Sequence, residues 1–298
     1  MHEPLPSTPS MPRPWARRGV LGALLAGLAG VAMAQDAPVR ERLMREYQAL
    51  RAQLASSPLG QPLLISSSEA DAELRGQVHA VVDTAFADLC AALSRPQAWC
   101  EILVLHLNTK RCVAGDGSSG STNLAMAVTR KHDHAAKDAF LLDFRWDRVQ
   151  AGPDALQIVM TAPEGPLGTA NYRIVLDAIA LPGGKSFLSF AYACRFSTAA
   201  RLGMRTYLST FGRDKVGFTK VEGQGEDVYV GGMRGVIERT AMRYYLAIEA
   251  WFAASRAPAT RQRELRMQRW FEATERYPRQ LHETDLAEYL AGKRQAVP

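Results

Sequence analysis

Between residues 101 and 196 the chain runs as strand-length segments separated by turns too short to conceal a crossover. Segments 123–130, 140–150, 155–162, 172–181 and 186–195 are rich in β-branched and aromatic residues. Gly152-Pro153-Asp154 and Pro182-Gly183-Gly184 punctuate them as turns. A parallel pair needs a connection of about a dozen residues or more, so these links impose an antiparallel meander. Residues 102–109 read as the strand that opens it, with Leu103, Leu105 and Leu107 on one face and His106 and Asn108 on the other. Upstream, 63–67 and 73–82 add two strands, Leu74, Val78 and Ala80 alternating with Arg75, Gln77 and His79. A helix over 85–93, capped by Asp83 or Thr84 and stopped at Ser94-Arg95-Pro96, separates them from the meander. Trp99 is placed to anchor that helix on the sheet.

The period then changes from two to 3.6. After a helix at 199–210 and a loop over 212–232, with a short strand at 227–230, residues 231–252 form a long helix. Ile237, Ala241, Tyr244, Tyr245, Ile248 and Phe252 recur at spacings of three and four and make one apolar stripe. Arg234, Glu238, Arg239 and Arg243 crowd beside its first turns. A long helix after a curved sheet is expected to lie across that sheet as a lid. Amphipathic helices at 39–54, 262–276 and 285–293 complete the chain, the second with Leu265, Trp270, Phe271 and Thr274 inward.

The first 34 residues are read as an export signal of bacterial type. Arg13, Arg17 and Arg18 precede the apolar run 19–32, and Ala32-Met33-Ala34 supplies a small-x-small cleavage site. The run is short for a membrane span, and the expected destination is the periplasm or the medium, by the Sec route more than by the twin-arginine one. Losing Glu3 and those three arginines lowers the net charge from +6 to +4. That excess is spread along the chain, which argues against a nucleic-acid partner. In an oxidising compartment Cys100 and Cys112, flanking the strand-like run 101–110, are the preferred disulfide. Cys90 and Cys194 read as buried thiols. His132 and His134 form an H-x-H pair without a third ligand, and 115–122 lacks the lysine of a phosphate loop, so neither metal nor cofactor is expected.

This element order resembles the START-like, or helix-grip, superfamily of hydrophobic-ligand-binding proteins. The stretches that carry the resemblance are Ala98-Trp99-Cys100, Leu105-His106-Leu107-Asn108, residues 165–174, residues 212–218 and residues 231–245, similar to those of an exported bacterial branch of uncharacterised function. The resemblance covers about 63–255, leaving 35–62 as an N-terminal helix with its connector and 256–298 as a helical extension. It implies an α+β fold, a curved antiparallel sheet gripping a long C-terminal helix, with a lipid or other apolar molecule in the cavity between them.

The expected ligand-binding residues are Arg234, Glu238, Arg239, Arg243 and Tyr244 on the helix, with Tyr172, His106 and Asn108 on the sheet. The competing reading of the charged four is an ion-paired helix start that fixes the helix to the sheet. The basic and apolar loop 212–218 suggests transient membrane contact during loading. Two rival functions remain open. One is a helix-grip enzyme of cyclase or hydrolase type using Glu238, His106 or Tyr172. The other is a partner-binding envelope protein with a filled core, contacting its partner through Trp270 and Phe271. Glu275, His282 and Glu283 lie in the tail with no nucleophile to serve.

Overall fold

A computed structural model describes residues 24–116, 122–210, 212–222 and 228–296. Residues 1–23 of the expected export signal, and most of the glycine-serine loop at 115–122, lie outside these. The chain enters through helix α1 (Leu24–Ala55) and a hairpin of β1 (Leu63–Ala70) and β2 (Glu73–Val82). Helices α2 (Phe86–Leu93) and α3 (Pro96–Leu103) follow. Six strands come next: β3 (Thr109–Ala114), β4 (Thr122–Val128), β5 (Phe140–Ala151), β6 (Ala155–Glu164), β7 (Thr169–Leu181) and β8 (Lys185–Phe196). Helices α4 (Thr198–Ser209), α5 (Gly232–Ala254), α6 (Ala259–Glu275), α7 (Pro278–Leu281) and α8 (Leu286–Gln295) complete it. Among the described residues the eight strands form one antiparallel sheet in the order β1-β2-β8-β7-β6-β5-β4-β3. The meander expected from the short turns is there, and β2 closes onto its last strand. The α2–α3 excursion carries the chain from β2 to the far edge at β3.

Register sorts the two faces of the sheet. Gly76, Tyr192, Ile174, Met160 and Trp146 line up across five strands, and Val78, Phe190, Leu176 and Ile158 form the neighbouring row two residues along. Both rows share one face because side chains alternate with period two. Register shifts in the β3–β4, β5–β6 and β7–β8 pairs bend the strands around it. Helix α5 fills the hollow, touching down hardest at Gly76. A Cβ there would lie 2.8 Å from the Ile237 carbonyl oxygen and 3.0 Å from the Ala241 Cβ. Glycine is therefore what lets β2 and the helix backbone meet. The fold is the α+β helix grip that the sequence predicts.

The opposite face carries His79, Ser189, Asp177 and Gln157 in register. Helix α1 covers part of it, packing Leu43 and Leu54 with Ala155, Ile179, Leu181 and Phe187. Arg42 of α1 reaches Asp177 at 2.6 Å, and Gln157 reaches the other oxygen of that carboxylate at 2.8 Å. A sheet with both faces covered explains why its central strands contain so few exposed positions. Among the described residues no helix is long and apolar enough to cross a membrane.

Several expectations need correction. Neither Asp83 nor Thr84 caps α2, whose N-cap is Ala85 without a side-chain bond, and the Cys90 thiol is only half-buried. The run 102–109 is not a strand. Pro96 opens α3 at its first turn, the helix extends to Leu103, and a turn leads into β3 at Thr109. Leu103, Leu105, Leu107 and His106 are all buried together, so the apparent alternation comes from a helix end and a turn packed on every side. The expected Cys100–Cys112 bond is present with a Cα–Cα distance of 5.1 Å, joining α3 to β3. Trp270 and Phe271 are not an exposed contact. Trp270 is fully buried, donates to the Arg243 carbonyl oxygen at 3.0 Å and stacks on Tyr289, which also meets Phe271. Phe218 is likewise buried, edge-on to Tyr277, and Lys215 is held by Glu283. The loop 212–218 thus turns its aromatic residue inward.

Candidate functional site

The four charged residues at the start of α5 divide into two groups, and neither faces the sheet freely. At the N-terminal end Glu238 is fully buried. Its Oε1 accepts from Ser67 Oγ at 2.6 Å and Thr219 Oγ1 at 2.7 Å; its Oε2 accepts from the amides of Phe218 at 2.6 Å and Thr219 at 2.9 Å. Arg234 Nε donates to the same Ser67 hydroxyl at 3.1 Å. Gly217 makes room for this arrangement, since a Cβ there would stand 2.5 Å from Glu238 Oε2. Four donors saturate a buried carboxylate, and this one ties β1, the 216–219 loop and α5 together.

Arg239, next in the chain, and Arg243 one turn beyond it face the C-terminal segment. Arg239 Nε donates to the Gln280 carbonyl oxygen at 2.8 Å and its Nη2 to Glu283 Oε1. Arg243 Nη2 reaches the Leu281 carbonyl oxygen at 3.2 Å and the same Glu283 oxygen at 3.1 Å. Lys215 takes Glu283 Oε2 at 2.6 Å. Burial pushes the Glu283 carboxyl up, but Arg243, the Lys215 hydrogen bond and Arg239 outweigh that and hold it at about 2. Burial lowers Arg243 to about 10, with Arg239 adding repulsion. The competing reading has the cluster fix the helix to the sheet, which holds for Glu238 and Arg234 at Ser67 of β1, whereas Arg239 and Arg243 fasten α5 to the C-terminal segment. That fastening runs through a glutamate whose importance no local pattern announces.

The sheet–helix interior is built from other residues. His106, in the turn between α3 and β3, stacks on Tyr244 of α5 at 4.8 Å. Tyr244 stacks on Tyr192 of β8 at 5.5 Å. Tyr192 meets Tyr172 of β7 edge-on at 6.1 Å, and Tyr172 meets Phe144 of β5 at 6.2 Å. Of the sequence candidates, the structure therefore brings together His106, Tyr244 and Tyr172. Asn108 stays outside, its carbonyl oxygen accepting from Thr129 and its side chain directed at the Arg130 carbonyl oxygen. Tyr192 belongs with the group and was legible: Leu188, Phe190, Tyr192 and Cys194 alternate along β8.

Several polar atoms in this apolar interior lack partners. The His106 Nδ1 accepts from the Asn108 amide at 3.2 Å, which leaves Nε2 as the N–H donor. That Nε2 finds no hydrogen-bond partner among the described residues, nor do Thr109 Oγ1 and Trp146 Nε1. The Tyr244 hydroxyl lies near Thr109 but outside hydrogen-bonding geometry. Burial, then the charges of Arg243, Lys293 and Arg239, drive the His106 pKa well below its ordinary value, so the ring is neutral. Burial raises the phenols of Tyr192 and Tyr244, and brings Tyr172 and the Cys194 thiol each to about 12. Tyr172 Oη is 2.6 Å from Thr169 Oγ1.

Lys293 of α8 fixes the turn that carries His106. Its ammonium donates to the carbonyl oxygens of Val104 at 2.8 Å, His106 at 2.5 Å and Thr109 at 2.7 Å, at the C-terminal end of α3, where orphan carbonyls favour a cation. Tyr289 adds a bond to the Leu105 carbonyl oxygen at 3.0 Å. A separate cavity of about 300 Å³ lies outside the sheet–helix interior, between α8 and the 132–136 segment, and includes Lys110, His132 and His134. His132 approaches Glu288 there at 3.5 Å. Among the described residues no group of three or more histidine, cysteine or acidic side chains could hold a metal.

No protein-family model and no curated protein matches the chain. Solved structures do resemble it at low similarity. Norcoclaurine synthase from Thalictrum flavum is 15% identical with a TM-score of 0.33, covering 49% of this chain and 85% of that one. Human StAR-related lipid transfer protein 5 is 12% identical with a TM-score of 0.33, covering 60% and 90%. The di-domain aromatase/cyclase BexL of the BE-7585A biosynthetic pathway is 20% identical with a TM-score of 0.32, covering 63% and 58%. At these scores the likeness carries no argument about ligand or chemistry, and the site has to be judged on its own geometry.

Proposed function

We propose that this chain is exported to the cell envelope and binds a lipid or other apolar small molecule between the concave face of its sheet and α5, for transfer between membranes. One observation carries the reading. An interior walled by Phe144, Phe190 and Met160 holds three polar atoms, on His106, Thr109 and Trp146, that no described residue satisfies. An unsatisfied buried donor or acceptor costs about 1–3 kcal/mol, and native interiors keep few of them. Apolar walls with a few convergent polar groups are the composition of a small-molecule site. Binding would come from removing the ligand's apolar surface from water.

The filled-core reading has its own support in the ring-to-ring chain from His106 to Phe144, whose 4.8–6.2 Å spacings are those of packed aromatic residues. Titration with the neutral fluorophore N-phenyl-1-naphthylamine separates the two. The carrier reading expects saturable uptake at one site per chain. No saturable uptake would favour the filled core.

The enzyme reading draws less from the geometry. Glu238 is spent on four donors, and Tyr172 is raised to about 12, far from a working acid or base at neutral pH.

A further inference from the structure

The polar end of the interior has a definite chemical sense. His106 is 8% exposed, Thr109 fully buried and Arg243 7% exposed. The His106 tautomer is set by the Asn108 amide, so Nε2 can only donate. Arg243 Nε is also a buried donor with no partner among the described residues. The charges that act on His106 are those of Arg243, Lys293 and Arg239. Of these, Lys293 is held by neutral carbonyls, so Glu283 is the carboxylate bonded to the two arginines, with Lys215 on its other oxygen. The surroundings of His106 thus combine unsatisfied donors with an excess of positive charge. A cation placed there would meet repulsion, and the unpartnered nitrogens of His106 and Arg243 offer it no lone pair.

Resting on the apolar-ligand reading above, we infer that the ligand ends in a carboxylate, whose oxygen accepts the His106 Nε2–H inside the field of Arg243. Tyr244, stacked under the His106 ring, and the Lys293 ammonium, bonded to its carbonyl oxygen, hold the imidazole in place for that contact. The ligand class is therefore an apolar acid of the fatty-acid kind, and not an amine or a neutral hydrocarbon. The hydrogen bond that selects the acid comes from the α3–β3 turn, and Arg243 of α5 adds only its charge.

The test is displacement of N-phenyl-1-naphthylamine from the full mature chain by three probes with the same twelve-carbon chain: dodecanoate, methyl dodecanoate and dodecylamine. Dodecanoate is expected to displace the fluorophore at about tenfold lower concentration than the amine, as a charge-assisted hydrogen bond requires. In His106→Phe, which keeps the ring and removes the donor, the ratio should fall below about threefold, and His106→Gln, which restores an N–H, should recover part of it. Equal displacement by acid and amine in the wild-type protein overturns the inference while leaving apolar binding intact. So does an acid preference that persists in His106→Phe. If the fluorophore is not bound at all, the carrier reading fails and this inference with it. Should the variants fail to fold, the wild-type acid-to-amine ratio still decides.

Discussion

Replacing Glu283 by glutamine should expose how strongly the tail is wired to α5. Its carboxylate holds Arg239 and Arg243, whose side chains are 7% and 8% exposed, together with Lys215. A fall in pKa from 4.5 to about 2 corresponds to roughly 3 kcal/mol at 1.36 kcal/mol per unit, and partial solvent access lowers that to about 2 kcal/mol. Removing one partner of a buried pair costs about 3–5 kcal/mol in general, so Glu283→Gln should destabilise by about 2–3 kcal/mol at pH 7. Urea unfolding with an unchanged slope reads this directly. The sign follows from a depressed acid. The contribution is fully present above pH 4.5 and is lost as pH falls toward 2. The gap between wild type and variant should therefore shrink to under half its neutral value by about pH 3. A gap below about 0.5 kcal/mol at pH 7, or one that does not change with pH, would refute the anchoring role.

Other perturbations test the scaffold. Gly76→Ala puts a methyl group against the Ile237 carbonyl oxygen and the Ala241 Cβ and should cost about 1–3 kcal/mol in urea unfolding by forcing α5 off β2. The β1–β2 turn places Asp71 and Ala72 at φ of 47° and 68°, so Ala72→Gly should stabilise by about 0.5–1 kcal/mol once the extra freedom of glycine is subtracted; a loss of thermal stability would contradict it. Cys112→Ser opens the loop between cysteines 12 residues apart and should cost about 2–3 kcal/mol, a difference that vanishes when both proteins are measured in reductant.

The sheet was legible because its evidence is local. The strands from β4 to β8 carry their own runs of apolar and aromatic residues, and the turns β5–β6, β6–β7 and β7–β8 each carry glycine and proline. Helix α5 was legible for the same reason, from the stripe of Ile237, Ala241, Tyr244 and Ile248. The 102–109 segment misled because a helix end and a tight turn, buried on all sides, show leucines at every second place without being a strand. Pro96, at the first turn of α3, was the available clue. The charged cluster of α5 was conspicuous, yet its meaning depends on Glu283 some forty residues later. Nothing local distinguishes that glutamate from its neighbours. Lys293 is a stronger case, an ordinary lysine near the end of a polar helix whose three carbonyl acceptors lie about 185 residues upstream. Long-range partners of this kind leave no period or motif to read.

Native mass spectrometry of the protein purified from the cells that make it, paired with organic extraction, would show whether a ligand travels with it. The expected result is one apolar, acid-terminated molecule per chain, released by solvent and identifiable in the extract. A protein that flies at its bare sequence mass, yields no extractable compound and takes up no fatty acid when offered one would contradict it.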